Sequence, residues 1–454
     1  MFVRYFFYYI ALTLIFFGST SRNCRAVTGL FSDINVDQID NGSSWFMDKM
    51  SIREAHNYSN GSGVIVALID SGVQVDHPAL STCIDKQLSY NVADDNFDIT
   101  DYLGHGTMMA GIICGSCDNG MPFCGVAPGS KLIVYKITSG SGYSFQDDDL
   151  AEAVRLAADG PASVINLSLT IGSSTQVEDA VIYALQKGKI VVAAAGNTGG
   201  VVSFPASIDG VTAVGGINTD VVPLPGSGTG PYLILSAPGY NIGTTINDYG
   251  FGATTGTSAS AALVSGVFAL IQSREPATSA GTQMAMITQD SIDEGWPGFD
   301  GEYGFGIVNA LYSAANINPL QTDPKQEPSV SLYNNLLSYH REEAVTLTVK
   351  LRGIGGHKAD IWIQETDPRG KRLYFVYGAN QVYSSPYPYN TLIGSPFLFP
   401  EGSTLDYNLF HDGGSGLLGN GYIDPHAPKG LYEMTVGLQE SQFFYTRIVV
   451  WIDR

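Results

Sequence analysis

Short apolar segments between residues 63 and 217 constrain the fold more than any other feature of this sequence. Uninterrupted apolar segments are typical of strands that are buried on both faces of a sheet. Amphipathic stretches, such as 149–158 and 177–187, lie between them. This alternation predicts an α/β fold, with a parallel sheet and helices on both of its faces. The segments are GVIVALID (63–70), KLIVYKI (131–137), SVINLSL (163–169), IVVAAAG (190–196) and VTAVGGI (211–217).

Three polar side chains beside or near glycines are candidates for catalysis. Asp70 lies in VIVALIDSG, His105 in GHGTMMAG and Ser258 in GTSASAA. A serine hydroxyl is a weak nucleophile, so it needs a base within hydrogen-bonding distance and a carboxylate that orients the base. We therefore predict Ser258 as the nucleophile, His105 as the general base and then acid, and Asp70 as the group that fixes the imidazole tautomer. The order Asp, His, Ser is one of the few in which this triad occurs.

Ser258 and His105 also stand at the starts of two predicted helices, 259–270 and 106–113. A helix N-terminus places backbone N–H groups and the positive end of the helix dipole near a developing oxyanion. Asn197, in AAAGNTGG, follows the apolar segment 190–196 and could supply a side-chain amide as a further donor. We predict that Asn197 contributes to an oxyanion hole, and a simple turn asparagine is the alternative.

Together these motifs resemble the subtilase family of serine proteases, and YGFGIVNA (303–310) is similar to the closing segment of that family. The resemblance implies a subtilisin-like domain over 45–315 and a serine endopeptidase that forms an acyl-enzyme without a cofactor. The resemblance also implies that Asn197 contributes to the oxyanion hole, because the family has its oxyanion asparagine in this motif. Two alternatives stay open: a transamidase or macrocyclase, in which a peptide amine resolves the acyl-enzyme, and a non-catalytic surface or matrix adhesion protein.

The substrate contacts are also implied by the resemblance. Subtilases bind a peptide as an added strand between two segments of the enzyme. Where the second segment of the family usually reads Ser-Leu-Gly-Gly, this chain has Thr170 and Ile171 in place of the glycines, so we expect a narrower groove. The residues that match the two segments are Gly140, Ser141 and Gly142, and Ser168, Leu169 and Thr170.

Two other departures from the family concern the nucleophile helix and a metal. The family motif Ser-Met-Ala-Ala-Pro is SASAA at 258–262 here, so we expect altered helix packing with the nucleophile still in place. Ala79 stands after His77 and Pro78, where the family often has a carboxylate that serves a calcium site. We therefore predict no metal site, and a structural calcium ion is not supported.

The N-terminus predicts export. Arg4 precedes the apolar run 6–17, which is shorter than the roughly 20 residues that a transmembrane helix needs. We predict a signal peptide over 1–26 and a secreted or extracellular protein, with an uncleaved signal anchor as the alternative. Residues 27–44 then form a short extension with no evident propeptide. The chain would fold unaided, receive help in trans or lack control by zymogen cleavage.

Cysteine usage agrees with export, because cleavage after Ala26 leaves an even number of cysteines and export permits disulfides. The CxxC pattern of Cys114 and Cys117 could instead indicate zinc or redox chemistry. Our hypothesis is that a Cys117–Cys124 disulfide clamps the loop after the His105 helix and replaces the missing metal. The cysteines that remain are Cys83, Cys114, Cys117 and Cys124.

Beyond the predicted catalytic domain, residues 316–330 are rich in proline and charge and predict a linker. The rest of the chain, 331–454, has alternating, β-branched and aromatic segments separated by turns, which predict an antiparallel β-sandwich. These segments are VTLTVKL (345–351), ADIWIQE (359–365), LYFVYG (373–378), LYEMTVGL (431–438) and FYTRIVVWI (444–452).

The net charge of −20 limits the possible partners. Such an acidic chain is repelled by nucleic acid and by anionic membrane surfaces, so we predict neither as a partner. Peptide or protein substrates remain, and the sequence makes no prediction of oligomeric state.

Overall fold

The computed structural model describes residues 42–117, 123–140, 142, 144–295 and 299–315 in full, and beyond them the backbone of strands between 329 and 452. The strands of the central sheet are β1 (Ile65–Asp70), β2 (Tyr90–Asn91), β3 (Lys131–Lys136), β4 (Val164–Leu167), β5 (Ile190–Ala194), β6 (Thr212–Ile217) and β7 (Leu235–Pro238). Their spatial order is β2-β3-β1-β4-β5-β6-β7, and every neighbouring pair is parallel. The predicted parallel sheet is therefore confirmed.

Helices cover both faces of this sheet, as the alternation of strands and helices predicts. Side chains of Val66 and Leu68 in β1 join the apolar core that contains α3 and α6, whereas Ala67 and Ile69 join the core that contains α4 and α5. Both faces of β1 are thus buried, which explains its uninterrupted apolar sequence. The helices are α1 (Trp45–Lys49), α2 (Ile52–Ala55), α3 (His105–Cys114), α4 (Asp147–Asp159), α5 (Thr175–Gln186), α6 (Thr257–Arg274), α7 (Ala280–Gln289) and α8 (Ala310–Ala315).

The order of the strands in the sheet reverses at β1. The chain adds β2 and β3 on one side of β1 and β4 to β7 on the other, so the strand order reverses at β1. The carboxyl ends of strands at such a reversal face an open crevice, which is where ligands bind in sheets of this kind. Asp70 is the last residue of β1 and lies at this point.

Helix α6 is buried along most of its length, from Thr257 to Ile271. A helix that is apolar or small on every side belongs in the core, which agrees with its alanine-rich sequence. It ends near Arg274. No helix among the described residues is both long and apolar enough to cross a membrane.

Two features of the catalytic region did not follow from sequence periodicity. An antiparallel hairpin is formed by β8 (Ile242–Ile246) and β9 (Gly250–Thr254), whose threonines and glycines hide any alternation. Helix α7 is preceded by Ser279, whose hydroxyl accepts a hydrogen bond from the Thr282 backbone N–H. That contact is an ordinary N-cap, which stabilises a helix with only a weakly apolar face.

Strands beyond residue 328 form two further sheets that are mostly antiparallel. The five predicted segments overlap β12, β13, β14, β18 and β19, but the packing of two sheets into a sandwich stays a prediction. The predicted signal peptide, most of the extension 27–44 and the linker up to 328 lie outside the described residues. These strands are β10 (Ser329–Asn334), β11 (Ser338–Tyr339), β12 (Leu347–Arg352), β13 (Lys358–Thr366), β14 (Arg372–Gly378), β15 (Gln381–Ser385), β16 (Phe397–Leu398), β17 (Leu405–Asn408), β18 (Gly430–Gln439) and β19 (Phe443–Ile452).

One disulfide lies at the end of the helix that starts at His105, and a second lies in the loop that follows it. Cys114, at the end of α3, pairs with Cys83, and Cys117 pairs with Cys124 in the following loop. The hypothesis of a Cys117–Cys124 disulfide is confirmed. The zinc or redox interpretation of the CxxC pattern is wrong, because its two cysteines belong to different disulfides.

Removing the Cys83–Cys114 disulfide by a double alanine substitution is expected to lower the free energy of unfolding by about 3–4 kcal/mol. The reason is that it closes a loop with a sequence separation of 31, which restricts the unfolded chain strongly. The matched control is double alanine substitution at Cys117 and Cys124, whose separation is 7 and whose expected cost is about 2–3 kcal/mol. Denaturant titration of both variants measures the order, and a larger loss in the control would contradict it.

Candidate active site

Asp70 and His105 meet inside the protein. Asp70 ends β1, His105 begins α3, and both are fully buried. The Nδ1 atom of His105 lies 2.8 Å from Oδ1 of Asp70, and the backbone N–H of Ser71 donates to the same oxygen at 2.7 Å. Because a carboxylate only accepts hydrogen bonds, Nδ1 carries the proton, which leaves Nε2 as the basic nitrogen of the neutral ring.

Glycine at position 106 allows this close approach. A side chain there would place its Cβ atom 2.0 Å from the carbonyl oxygen of Gly72 and 3.2 Å from the Asp70 side chain. The first turn of α3 therefore packs directly on the backbone that follows β1. That packing explains why glycine follows the histidine in the motif.

Ser258 lies in the first turn of α6 and is 5% exposed. Its hydroxyl donates to the carbonyl oxygen of Ser168 at 3.0 Å, and the Ser168 hydroxyl donates to the carbonyl oxygen of Ser258 at 2.8 Å. These two hydrogen bonds attach the start of α6 to the segment that follows β4. Ser168 was predicted to contact the substrate, but the whole residue is buried and its carbonyl oxygen already accepts from the Ser258 hydroxyl.

Asn166 extends this connection and was not among the predicted site residues. Its amide nitrogen donates to the Ser168 hydroxyl at 2.9 Å, and its amide oxygen accepts from the Ser265 hydroxyl of α6 at 2.9 Å. Asn166 is fully buried within β4. A buried amide with both ends hydrogen-bonded fixes the relative position of the strand and the helix.

Asn197 follows β5 and is oriented by Thr257, the residue before Ser258. Its Oδ1 atom accepts from the backbone N–H of Thr257 at 2.9 Å and from the Thr257 hydroxyl at 3.1 Å. The Thr257 hydroxyl also accepts from the Gly196 backbone N–H at 3.2 Å. With Oδ1 directed at Thr257, the amide nitrogen points away from it and is the end that can donate to a substrate. Thr257 was missed by sequence analysis, although it precedes Ser258 in the GTS motif.

The first predicted substrate segment lies at the surface. Gly140 is exposed, has φ +52°, and an added Cβ atom there would meet nothing within 4 Å. Asp94 holds this segment, since its carboxylate accepts from the Ser139 hydroxyl at 2.5 Å and from the Gly140 N–H at 3.4 Å. These contacts, with that of Ser139 the largest, lower the pKa of the Asp94 carboxyl. Gly142 is half-buried, and Ser141 lies outside the described residues.

The second predicted segment is more buried. Leu169 is buried and Thr170 is half-buried. The side chain of Ile171 packs in the core with α4 and α5, and its backbone N–H donates to the Phe204 carbonyl at 3.0 Å. The expected narrowing of the groove can therefore come from Thr170 but not from Ile171, because an apolar side chain at a strand end is more stable in the core.

No group of three or more His, Cys, Asp or Glu side chains that could hold a metal ion occurs in the described part of the chain. The Asp70 and Asp94 carboxylates and the His105 imidazole are held by hydrogen bonds within the protein.

Comparison with known proteins gives a family and several relatives. Residues 61–306 match the model of the subtilase family. A thermophilic serine proteinase from Bacillus sp. strain AK1 is 37% identical over 215 residues, which are 47% of this chain and 53% of that protein. A thermostable alkaline protease from Halalkalibacterium halodurans is 34% identical over 275 residues, 59% of this chain and 72% of that protein. The chain thus spans about half the length of the first relative.

A third relative and one solved structure agree with these matches. The minor extracellular protease of Bacillus subtilis is 30% identical over 282 residues, which are 60% of this chain and 42% of that protein. A solved protease structure from Pseudoalteromonas arctica superposes with a TM-score of 0.56 at 24% identity, covering 62% of this chain and 99% of the other. At that identity the structural likeness establishes the fold alone.

Proposed function

We propose that this chain, which belongs to the subtilase family, is a serine endopeptidase that hydrolyses peptide bonds through an acyl-enzyme. The observation that carries the proposal is the fully buried hydrogen bond between Asp70 and His105. It prepares the imidazole as a base whose other nitrogen can take a proton. A structural role for the pair would not require a histidine at the start of a helix that packs against the helix of Ser258.

The reaction begins when the Ser258 hydroxyl turns from the Ser168 carbonyl towards Nε2 of His105. Catalytic hydrogen bonds are often absent or long before substrate binds, so the observed contact is compatible with this step. The Ser258 oxygen then attacks the scissile carbonyl while His105 takes its proton. His105 returns that proton to the leaving amine, and water resolves the acyl-enzyme by the reverse sequence.

The oxyanion of the tetrahedral intermediate would accept hydrogen bonds from the amide of Asn197 and from the N-terminal end of α6. Thr257 supports this role, because it directs the oxygen of the Asn197 amide away from the substrate. A donor that is held in place before the reaction needs no reorganisation when charge develops.

The substrate would be an extended peptide that adds a strand between 140–142 and 168–170. The open space above Gly140 supports this arrangement, because a peptide backbone can approach closely there. Secretion is supported by the apolar run after Arg4 and by the two disulfides, which form in oxidising compartments.

Replacing Asn197 by alanine is expected to lower kcat by roughly 10²–10³-fold with little change in KM, a magnitude taken from the equivalent donor of a subtilisin. The donor acts on the transition state and not on the bound substrate, so the loss belongs to kcat. Steady-state kinetics on a peptide substrate measures it. Asn218→Ala is the matched control, because Asn218 accepts hydrogen bonds only within its own turn. Equal losses in both variants would argue against the oxyanion role.

A fluorophosphonate probe and a peptide substrate together test the proposed function. Labelling of Ser258 with release of free carboxylate products is the expected result. If Ser258 is labelled but the products are cyclic or ligated peptides, the reaction is transamidation and not hydrolysis. A folded chain that is not labelled would favour the non-catalytic adhesion protein and would contradict the proposal of an enzyme.

A further inference from the structure

Asp101, in the loop before α3, has a buried carboxylate that accepts several hydrogen bonds. Its Oδ1 atom accepts from the N–H groups of Leu103 and Gly104 at 3.0 and 2.8 Å, and its Oδ2 atom accepts from the N–H and hydroxyl of Thr107 at 2.8 and 2.7 Å. Asp101 is 4% exposed, so these bonds form away from water. The residues that donate lie on both sides of His105.

Ser71 connects this carboxylate to the Asp70–His105 pair. The Ser71 hydroxyl donates to Oδ1 of Asp101 at 2.9 Å and accepts from the N–H of Gly106 at 2.9 Å. The Ser71 backbone N–H donates to Asp70. One residue therefore contacts the carboxylate of the pair, the helix that carries the imidazole and the second carboxylate.

The first turn of α3 depends on these two side chains. Gly104 is the N-cap residue and has no side chain to accept from the free N–H groups of the helix start. Asp101 satisfies the N–H of Thr107, and Ser71 satisfies that of Gly106. A carboxylate at a helix N-terminus is also favoured by the helix dipole.

The loop that carries Asp101 is itself fixed from the neighbouring strands. The ammonium of Lys136, at the end of β3, donates to the Thr100 carbonyl at 2.6 Å. The side-chain amide of Asn247, in the turn between β8 and β9, donates to the Asp101 carbonyl at 2.8 Å. The Asp101 carboxylate thus has a rigid surrounding and transmits its position to α3.

We propose that Asp101, acting through Ser71 and the first turn of α3, is a positioning residue that holds His105 against Asp70 and stabilises the imidazolium formed during the reaction. The inference rests on the proposed function for its catalytic meaning. Because Asp101 does not touch a substrate, its effect reaches the reacting atoms only through His105.

The charged groups around His105 determine how loss of the Asp101 charge changes the stability of the His105 imidazolium. Asp70 and Asp101 are negative, Lys136 is positive and contacts the Asp101 loop, and Asp248 lies at the tip of the β8–β9 hairpin. Burial, which is the largest cause, lowers the pKa of Lys136, while Asp98 and Asp101 raise it. Removal of the Asp101 charge leaves Lys136 less compensated, so the imidazolium loses stability and its proton dissociates at lower pH.

Two substitutions in the full chain separate charge from geometry. Asp101→Asn removes the charge and turns one acceptor into a donor facing the helix, whereas Ser71→Ala keeps the charge and removes the connection. We expect both to lower kcat by roughly 10- to 100-fold with KM nearly unchanged, since small displacements of a catalytic group have effects of this size. Only Asp101→Asn should move the acid limb of the kcat/KM profile, by about half a unit towards lower pH. Asp220→Asn is the matched control, because it makes the same chemical change at an exposed turn, where the charge is screened.

Titration of the His105 ring by NMR gives a readout that does not need hydrolysis. A lower midpoint in Asp101→Asn than in the parent and in Asp220→Asn supports the inference even if the parent hydrolyses no peptide, an outcome that would count against the proposed function alone. A folded Asp101→Asn with parental kcat and an unmoved midpoint would overturn it. If Asp101→Asn does not fold, a parental kcat in Ser71→Ala overturns it, and a lowered kcat at unchanged thermal stability supports it.

Discussion

Ser258→Ala is expected to reduce kcat for peptide hydrolysis by roughly 10⁶-fold, the size of loss found when the nucleophile of a subtilisin is removed. Without the hydroxyl no acyl-enzyme can form, and His105 has no proton to take. Binding and the oxyanion donors remain, so slow attack by water should leave a small residual rate. Steady-state kinetics on a peptide substrate, with fluorophosphonate labelling in parallel, measures both effects.

Ser260→Ala is the matched control for this substitution. Ser260 lies in the same helix and is fully buried, and its hydroxyl donates to the carbonyl oxygens of Ala237 and Pro238 at 3.2 and 3.0 Å. Its loss should affect stability but leave labelling in place. If Ser258→Ala were still labelled, or if both variants lost labelling while folded, Ser258 would not be the nucleophile.

Asp70→Asn is expected to lower kcat by about 10⁴-fold while the fold is retained, because the neutral amide permits the wrong imidazole tautomer. In the parent protein, Oδ1 of Asp70 accepts from both Nδ1 of His105 and the Ser71 N–H. An asparagine that presents its nitrogen to the ring forces the proton onto Nε2, and the ring can then no longer act as a base towards Ser258. The pre-steady-state rate of acylation on an ester substrate isolates this step.

The control for Asp70→Asn is Asp220→Asn, which makes the same chemical change at an exposed turn. It should leave kcat within about two-fold of the parent, as surface substitutions usually do. Circular dichroism and thermal unfolding show whether Asp70→Asn is folded. A folded Asp70→Asn with near-parental acylation would remove Asp70 from the mechanism.

The sequence was informative about strand ends and helix starts. Asp70 ends an uninterrupted apolar segment, and His105 and Ser258 begin segments with helical composition, so their placement near one edge of a parallel sheet could be predicted. Local composition determines these features. The chemistry of a weak serine nucleophile indicated the roles of the three side chains, and the family resemblance added the substrate contacts.

The hydrogen-bond partners behind the site could not be predicted in the same way. Asn166 meets Ser265 over a sequence separation of 99, and Ser71 meets Asp101 over a separation of 30. Such pairs depend on how strands and helices pack, which no local pattern records. Ile171 shows the same limit, because its side chain packs in the core with α4 and α5 and not in the groove, and only the folded packing determines this.

The burial of α6 has a consequence for how the proposed activity would be lost. The helix that carries Ser258 at its first turn fills the centre of an apolar core, so the reactive group cannot loosen separately from the interior that surrounds it. Under partial denaturation, surviving turnover should then report the fraction of molecules whose interior is still intact. The rate of peptide cleavage would then measure the fraction of folded molecules.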